Sequence, residues 1–124
     1  MKLLLLLCLG ASLGATSRWL LALWLNPLLS SMALGTWLAN ILGCLLIGVL
    51  IGVFFSFPAI NAEWRLFLVT GFLGSFTTFS SFSGEVVEKL LSDKWLNALG
   101  IVSAHLFGGL FCTALGIWLW RLLD

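Results

Sequence analysis

"GFLGSFTTFSSFSGE", residues 71–85, sits where the chain should carry a membrane-crossing helix. The stretch holds three Gly, six Ser or Thr, four Phe and a single Leu. Gly loosens a helix and hydroxyl side chains compete for its backbone hydrogen bonds, so both are poor interior choices. Backbone facing lipid must be hydrogen-bonded, so a break at mid-membrane survives only inside protein or beside water. Gly71 and Gly74 permit the turn, and Thr77, Thr78, Ser80 and Ser81 are residue types that cap a second half-helix. Such a break leaves orphan carbonyls on one half and orphan N–H groups on the next. The former suit a cation and the latter an anion, as in discontinuous transporter helices. The plainer reading is a Gly-Ser kink with packing value only.

The rest of the chain reads as membrane protein too. Of its 124 residues, 61% are hydrophobic and 9% charged, with mean hydropathy +1.16; soluble domains carry roughly 25% charged residues. Uncharged runs cover 3–17, 19–62, 66–84 and 95–120, and "NPLLSS" at 26–31 divides the longest. A span needs about 20 apolar residues, so four spans are expected, at about 3–25, 33–56, 65–92 and 96–122. The loops between them hold only a few residues. The chain is therefore read as one all-α transmembrane unit, 1–124, with its third helix broken at mid-membrane. No soluble domain and no nucleic-acid partner are expected, and any binding happens within the lipid bilayer.

The opening "MKLLLLLCLGASLGA" imitates a signal peptide, but apolar sequence continues past Arg18 to Leu25 and is read as a full first span. Cys8, Cys44 and Cys112 lie inside spans, with neither disulfide nor metal spacing. His105 is alone in span four and reads as a core or interface residue rather than a proton carrier. The seven Trp mostly fall near span ends, as interfacial anchors do.

Orientation follows Lys and Arg. With four spans, Lys2, Arg65 and Arg121 fall on one side and Lys89 and Lys94 on the other, which is almost no bias. Insertion both ways up is expected, and the two orientations could then pair as an antiparallel homodimer. Small residues four apart, Gly10 with Gly14 and Gly48 with Gly52, permit close helix packing.

Four side chains stand out inside the spans. Phe79 and Phe82 are three apart and share a helix face. An aromatic ring has a positive edge, so the pair can line an anion path without full charge; the bland reading is lipid-facing or core packing. Asn40, in "GTWLANILGC", is the one strongly polar side chain of span two, either an N–H donor to an anion or interhelical glue. Arg18, in "GATSRW", is costly within a span and by default functional.

At these residues the chain resembles the CrcB/Fluc fluoride channels: "GATSRW" (14–19), "GTWLANILGCLLIG" (35–48) and above all "GFLGSFTTFSSFSGE" (71–85). The resemblance spans essentially the whole chain. It implies a dual-topology homodimer in the cell inner (plasma) membrane, with two passive, fluoride-selective pathways that export fluoride and give resistance to it. By that resemblance Phe79, Phe82 and Asn40 take pore positions, and Arg18 the family's span-one arginine position. Gly74 and Thr77 fall where a central sodium ion is held by backbone carbonyls. Ser80 and Ser81 match hydroxyl positions beside the ion path, Glu85 an acidic position near the pore mouth, and Ser103 a polar position of span four.

Three other readings compete, one of them a purely structural membrane subunit. A small dual-topology multidrug or cation exporter would need an embedded carboxylate in span one, where this chain has Arg18 and no acid. An intramembrane enzyme would need a carboxylate to orient His105, or a metal set, and neither is placed for it.

Overall fold

The computed structural model describes residues 1–124, and it contains helices and short connections without strands. Helix α1 runs Lys2–Leu25 and is followed by one 3₁₀ turn, Asn26–Leu28; helix α2 runs Leu34–Ser56. The third span, Ala62–Leu91, is composite. It comprises α3 (Ala62–Arg65), a π-helical stretch (Leu66–Leu73), α4 (Gly74–Phe76) and α5 (Phe79–Leu91). Helix α6, Trp95–Leu123, closes the fold. Four helical spans are long and apolar enough to cross a membrane, and their ends lie within a few residues of the expected bounds.

Side chains terminate the elements locally. Asn26, just ahead of Pro27, turns its Oδ1 back to accept from the N–H groups of Gly35 (2.8 Å) and Thr36 (3.3 Å). Glu85 Oε1 accepts from Ala33 N–H at 2.6 Å. Together they satisfy donors that the first turn of α2 would otherwise leave orphaned. Asn61 caps α3 through Glu63 N–H. Between α5 and α6 the chain reverses at Asp93, whose φ of 58° is left-handed. Lys94 N–H there reaches back to Lys89 O at 2.8 Å and closes the helix end.

Packing relies on close backbone approach. A Cβ on Gly14 would strike the Phe72 carbonyl, so α1 can lie against the π stretch only because that side chain is absent. Helices α2 and α6 run parallel, as the ladder of contacts between them records. Trp37 Nε1 donates to Ala104 O (3.2 Å), Gly48 meets Gly116, and Trp120 Nε1 donates to Ser56 Oγ (2.9 Å). The core is thin, centred on Ala39, Leu73 and Phe76. Only 17 of 124 residues are buried, so most large apolar side chains point outward, as a lipid solvent allows.

Candidate functional site

The break in the third span is two residues long. Thr77 (φ −86°, ψ 157°) and Thr78 (φ −149°, ψ 111°) are extended, and helix resumes at Phe79. Each loose end is caught by a side chain. Thr77 donates to Leu73 O through both its N–H (3.0 Å) and its Oγ1 (2.9 Å). Thr78 is the N-cap of α5, its Oγ1 accepting from Ser81 N–H at 3.1 Å. Its own peptide groups are held from α2. Asn40 Oδ1 accepts from Thr78 N–H at 2.7 Å, and Asn40 Nδ2 donates to Thr78 O at 3.1 Å. The amide thus pairs with the extended segment as a neighbouring strand would.

This clasp releases two carbonyls. In an unbroken helix the Gly74 carbonyl would accept from Thr78 N–H, which Asn40 holds instead. The Thr77 carbonyl would accept from Ser81 N–H, which the Thr78 hydroxyl holds. Nearby, Arg18 Nε donates to Ser75 O at 3.0 Å, so the arginine of α1 satisfies a carbonyl beside the break. No three His, Cys, Asp or Glu side chains come together anywhere in the chain. The oxygens that the break offers are backbone carbonyls and the side-chain oxygens of Asn40, Thr77 and Thr78.

Around the break lies an open-mouthed cavity of about 530 Å³, bordered by Asn40, Gly74, Thr77, Thr78, Phe79 and His105 among mostly apolar neighbours. No ionisable Asp, Glu, Lys or Arg lines it. Phe79 and Phe82 meet edge-on, ring centroids 5.6 Å apart, and Phe82 packs against the His105 ring at 4.5 Å. Ser80 Oγ lies 3.4 Å from Thr78 Oγ1, and Ser81 contributes its backbone to the cap.

Six sequence-predicted residues stand off the cavity wall: Ser80, Ser81 and Phe82 on α5, and Arg18, Glu85 and Ser103. Arg18 is beside the break but behind it. Glu85 is directed to the start of α2, its Oε2 buried without a partner. Ser103 is half-buried and does not border the cavity, whereas His105, two positions on, does.

The sequence reading gave His105 only a packing role. In the structure it is buried, faces Asn40 Nδ2 through Nδ1 at 3.2 Å, and leaves Nε2 without a partner. A signal existed in the spacing: His105, Gly109 and Thr113, four apart, form one small or polar stripe, and all three border the cavity. Of the two readings of Asn40, the contacts match the one that ties helices together. Thr78 and His105 engage the amide's donors, because an extended peptide must be paired by something.

Residues 5–117 match the family described as "CrcB-like protein, Camphor Resistance (CrcB)". A protein of Haemophilus influenzae (strain PittEE) named "Fluoride-specific ion channel FluC" is 59% identical over 122 residues, covering 98% of this chain and 95% of that one. One of the same name from Pasteurella multocida (strain Pm70) is 60% identical over 112 residues, 90% of this chain and 88% of that one. Another from Haemophilus ducreyi is 52% identical over 113 residues, 91% and 87% of the two chains.

Proposed function

Because the chain belongs to the CrcB-like family, we propose that it conducts fluoride passively across the membrane and relieves the cell of it. It is a channel rather than an enzyme, a multi-pass integral membrane protein of the kind that in bacteria sits in the inner membrane. The observation that carries the reading is the break at Thr77–Thr78. Clasped by Asn40, it sets Phe79 and His105 on the wall of a cavity free of ionised side chains, with Phe82 packed against both rings.

Fluoride is small and strongly hydrated, so taking it from water is costly without close, oriented donors. Ring edges of Phe79 and Phe82, the hydroxyls of Ser80 and Ser81, and N–H groups at the break share that task. A fixed cation at the narrowest point would hold the ion too tightly, since conduction needs sites that release as well as capture. Arg18 instead acts at a distance, its guanidinium anchored on Ser75 O. Glu85 fixes the start of α2. No carboxylate lines the cavity to couple transport to protons, which favours a passive path over an exporter.

One chain supplies half of the path in this reading. Phe79 is 79% exposed and the cavity is open along the same side, so an inverted second copy would cover both and make two pathways per homodimer. The breaks would then meet on the symmetry axis. The freed carbonyls of Gly74 and Thr77 fit a hard cation such as sodium, which favours oxygen ligands. When bound, the ion would offset the converging carbonyl dipoles.

Efflux from liposomes loaded with potassium fluoride, read with a fluoride electrode, tests the function. Fluoride release with chloride retained is expected. Equal passage of both ions, or none, overturns the reading.

A further inference from the structure

Asn40 has one amide oxygen and two N–H donors, and protein groups stand against all of them. The oxygen accepts from Thr78 N–H and the nitrogen donates to Thr78 O. The remaining N–H faces His105 Nδ1 at 3.2 Å. The two ends of an amide side chain look alike, but a peptide distinguishes them, because its N–H only donates and its C=O only accepts. Thr78 therefore fixes which way the Asn40 amide points. Its nitrogen, a donor only, is what His105 meets. Nδ1 must then be the acceptor and carry no proton, so the neutral ring bears its proton on Nε2.

That second nitrogen is the unusual feature. His105 is only 9% exposed and borders the cavity, yet Nε2 has no hydrogen-bond partner. A buried donor is disfavoured unless some acceptor reaches it. The His105 ring packs on Phe82, which in turn meets Phe79 edge-on, so the imidazole belongs to the same aromatic group as the two phenylalanines.

We infer that Asn40 is a positioning residue: it ties the Thr78 peptide to His105 Nδ1, keeps the ring in its Nε2–H form, and so makes the imidazole N–H, not its own amide, the donor that meets the passing anion. The inference rests on the fluoride-channel reading above. It gives a reason for an amide at position 40. A carboxylate would offer Nδ1 an acceptor and draw a ring proton towards itself, and a hydroxyl would be too short to hold both partners.

His105 is the chain's single histidine, so in protein labelled with ¹⁵N at histidine and asparagine the imidazole signals belong to one residue. In liposomes, the ¹⁵N shifts of the unmodified protein are expected to show a protonated Nε2 and a bare Nδ1. Added sodium fluoride should move the Nε2 resonance and leave the Asn40 side-chain amide, identified by its loss in Asn40→Leu, in place. In Asn40→Leu the Nδ1–H form should appear, and fluoride flux should fall about tenfold, the scale of one well-placed hydrogen bond. A proton on Nδ1 in the unmodified protein overturns the inference. So does a fluoride-induced shift of the Asn40 amide with His105 unmoved. An Nε2–H ring in a protein that passes no fluoride would instead sink the channel reading, and the donor role with it, while the tautomer lock stands.

Discussion

Phe79 and Phe82 are neighbours with different surroundings. Phe79 is 79% exposed on the single chain, while Phe82 is half-buried against His105. Ile at either position keeps the apolar bulk but removes the ring edge, so each substitution should cut fluoride flux about tenfold or more while leaving the protein folded. Phe111→Ile is the control. That ring is 66% exposed on α6 and outside the cavity wall, so liposome flux should stay at the wild-type level. Normal conduction by both motif variants would refute the pore assignment. Arg18→Met should leave the Ser75 carbonyl without its donor and destabilise the protein by about 1–3 kcal/mol, read as a lower unfolding midpoint in detergent. The sequence marked Phe79, Phe82, Asn40 and Arg18 as exceptional, because each is unusual for its place in a span. It did not disclose their partners. Asn40 meets Thr78 and His105 across 38 and 65 positions, and no local spacing reports such contacts.

At the scale of the element, the broken span depends on capping rather than on glycine alone. Thr78→Val preserves shape but deletes the Oγ1 that accepts from Ser81 N–H, and an N-cap loss costs about 1 kcal/mol. Flux should fall together with the unfolding midpoint, whereas Thr78→Ser should restore both. A fully stable, fully conducting Thr78→Val would mean that Asn40 alone holds the break. The break was legible because Gly, Ser and Thr crowd a segment that lipid should have made apolar. The π-helical stretch before it was not. "LFLVTGFL" reads as ordinary span, and the wide winding arises where Gly10, Gly14 and Gly71 bring α1 against it. That contact is tertiary, so the segment's own residues do not reveal it. Glu85 is similar: its capping of Ala33 joins positions 52 apart.

For the whole molecule, four spans followed from hydropathy and charge alone, since a bilayer leaves few alternatives to helices. The arrangement of those helices did not follow, because close approach at Gly14, Gly48 and Gly116 depends on shapes that meet only after folding. Orientation is the property still open to a simple test. Lys2, Arg65 and Arg121 oppose Lys89 and Lys94, and Lys2 is partly offset by Glu63 at 3.0 Å. Both orientations are expected in the membrane, and two or three Lys added near one terminus should bias insertion and reduce assembly. Reagent access to a C-terminal tag from one side only, in the unmodified protein, would rule this out.

The π-helical stretch carries a consequence for inheritance. A wider turn holds surplus length, and one in-frame codon deletion between Leu66 and Leu73 would let it relax to ordinary winding. The wide turn absorbs that surplus, so its loss would leave the residues beyond the stretch near their places, whereas a deletion in the α-helical part of a span turns everything after it by about 100° and draws it back by about 1.5 Å. Thr78 would stay within reach of Asn40, and α5 would keep its face towards α6. Natural variants of such a chain should therefore gain or lose residues at the connections 29–33 and 57–61 and, within the spans, at this stretch before any other.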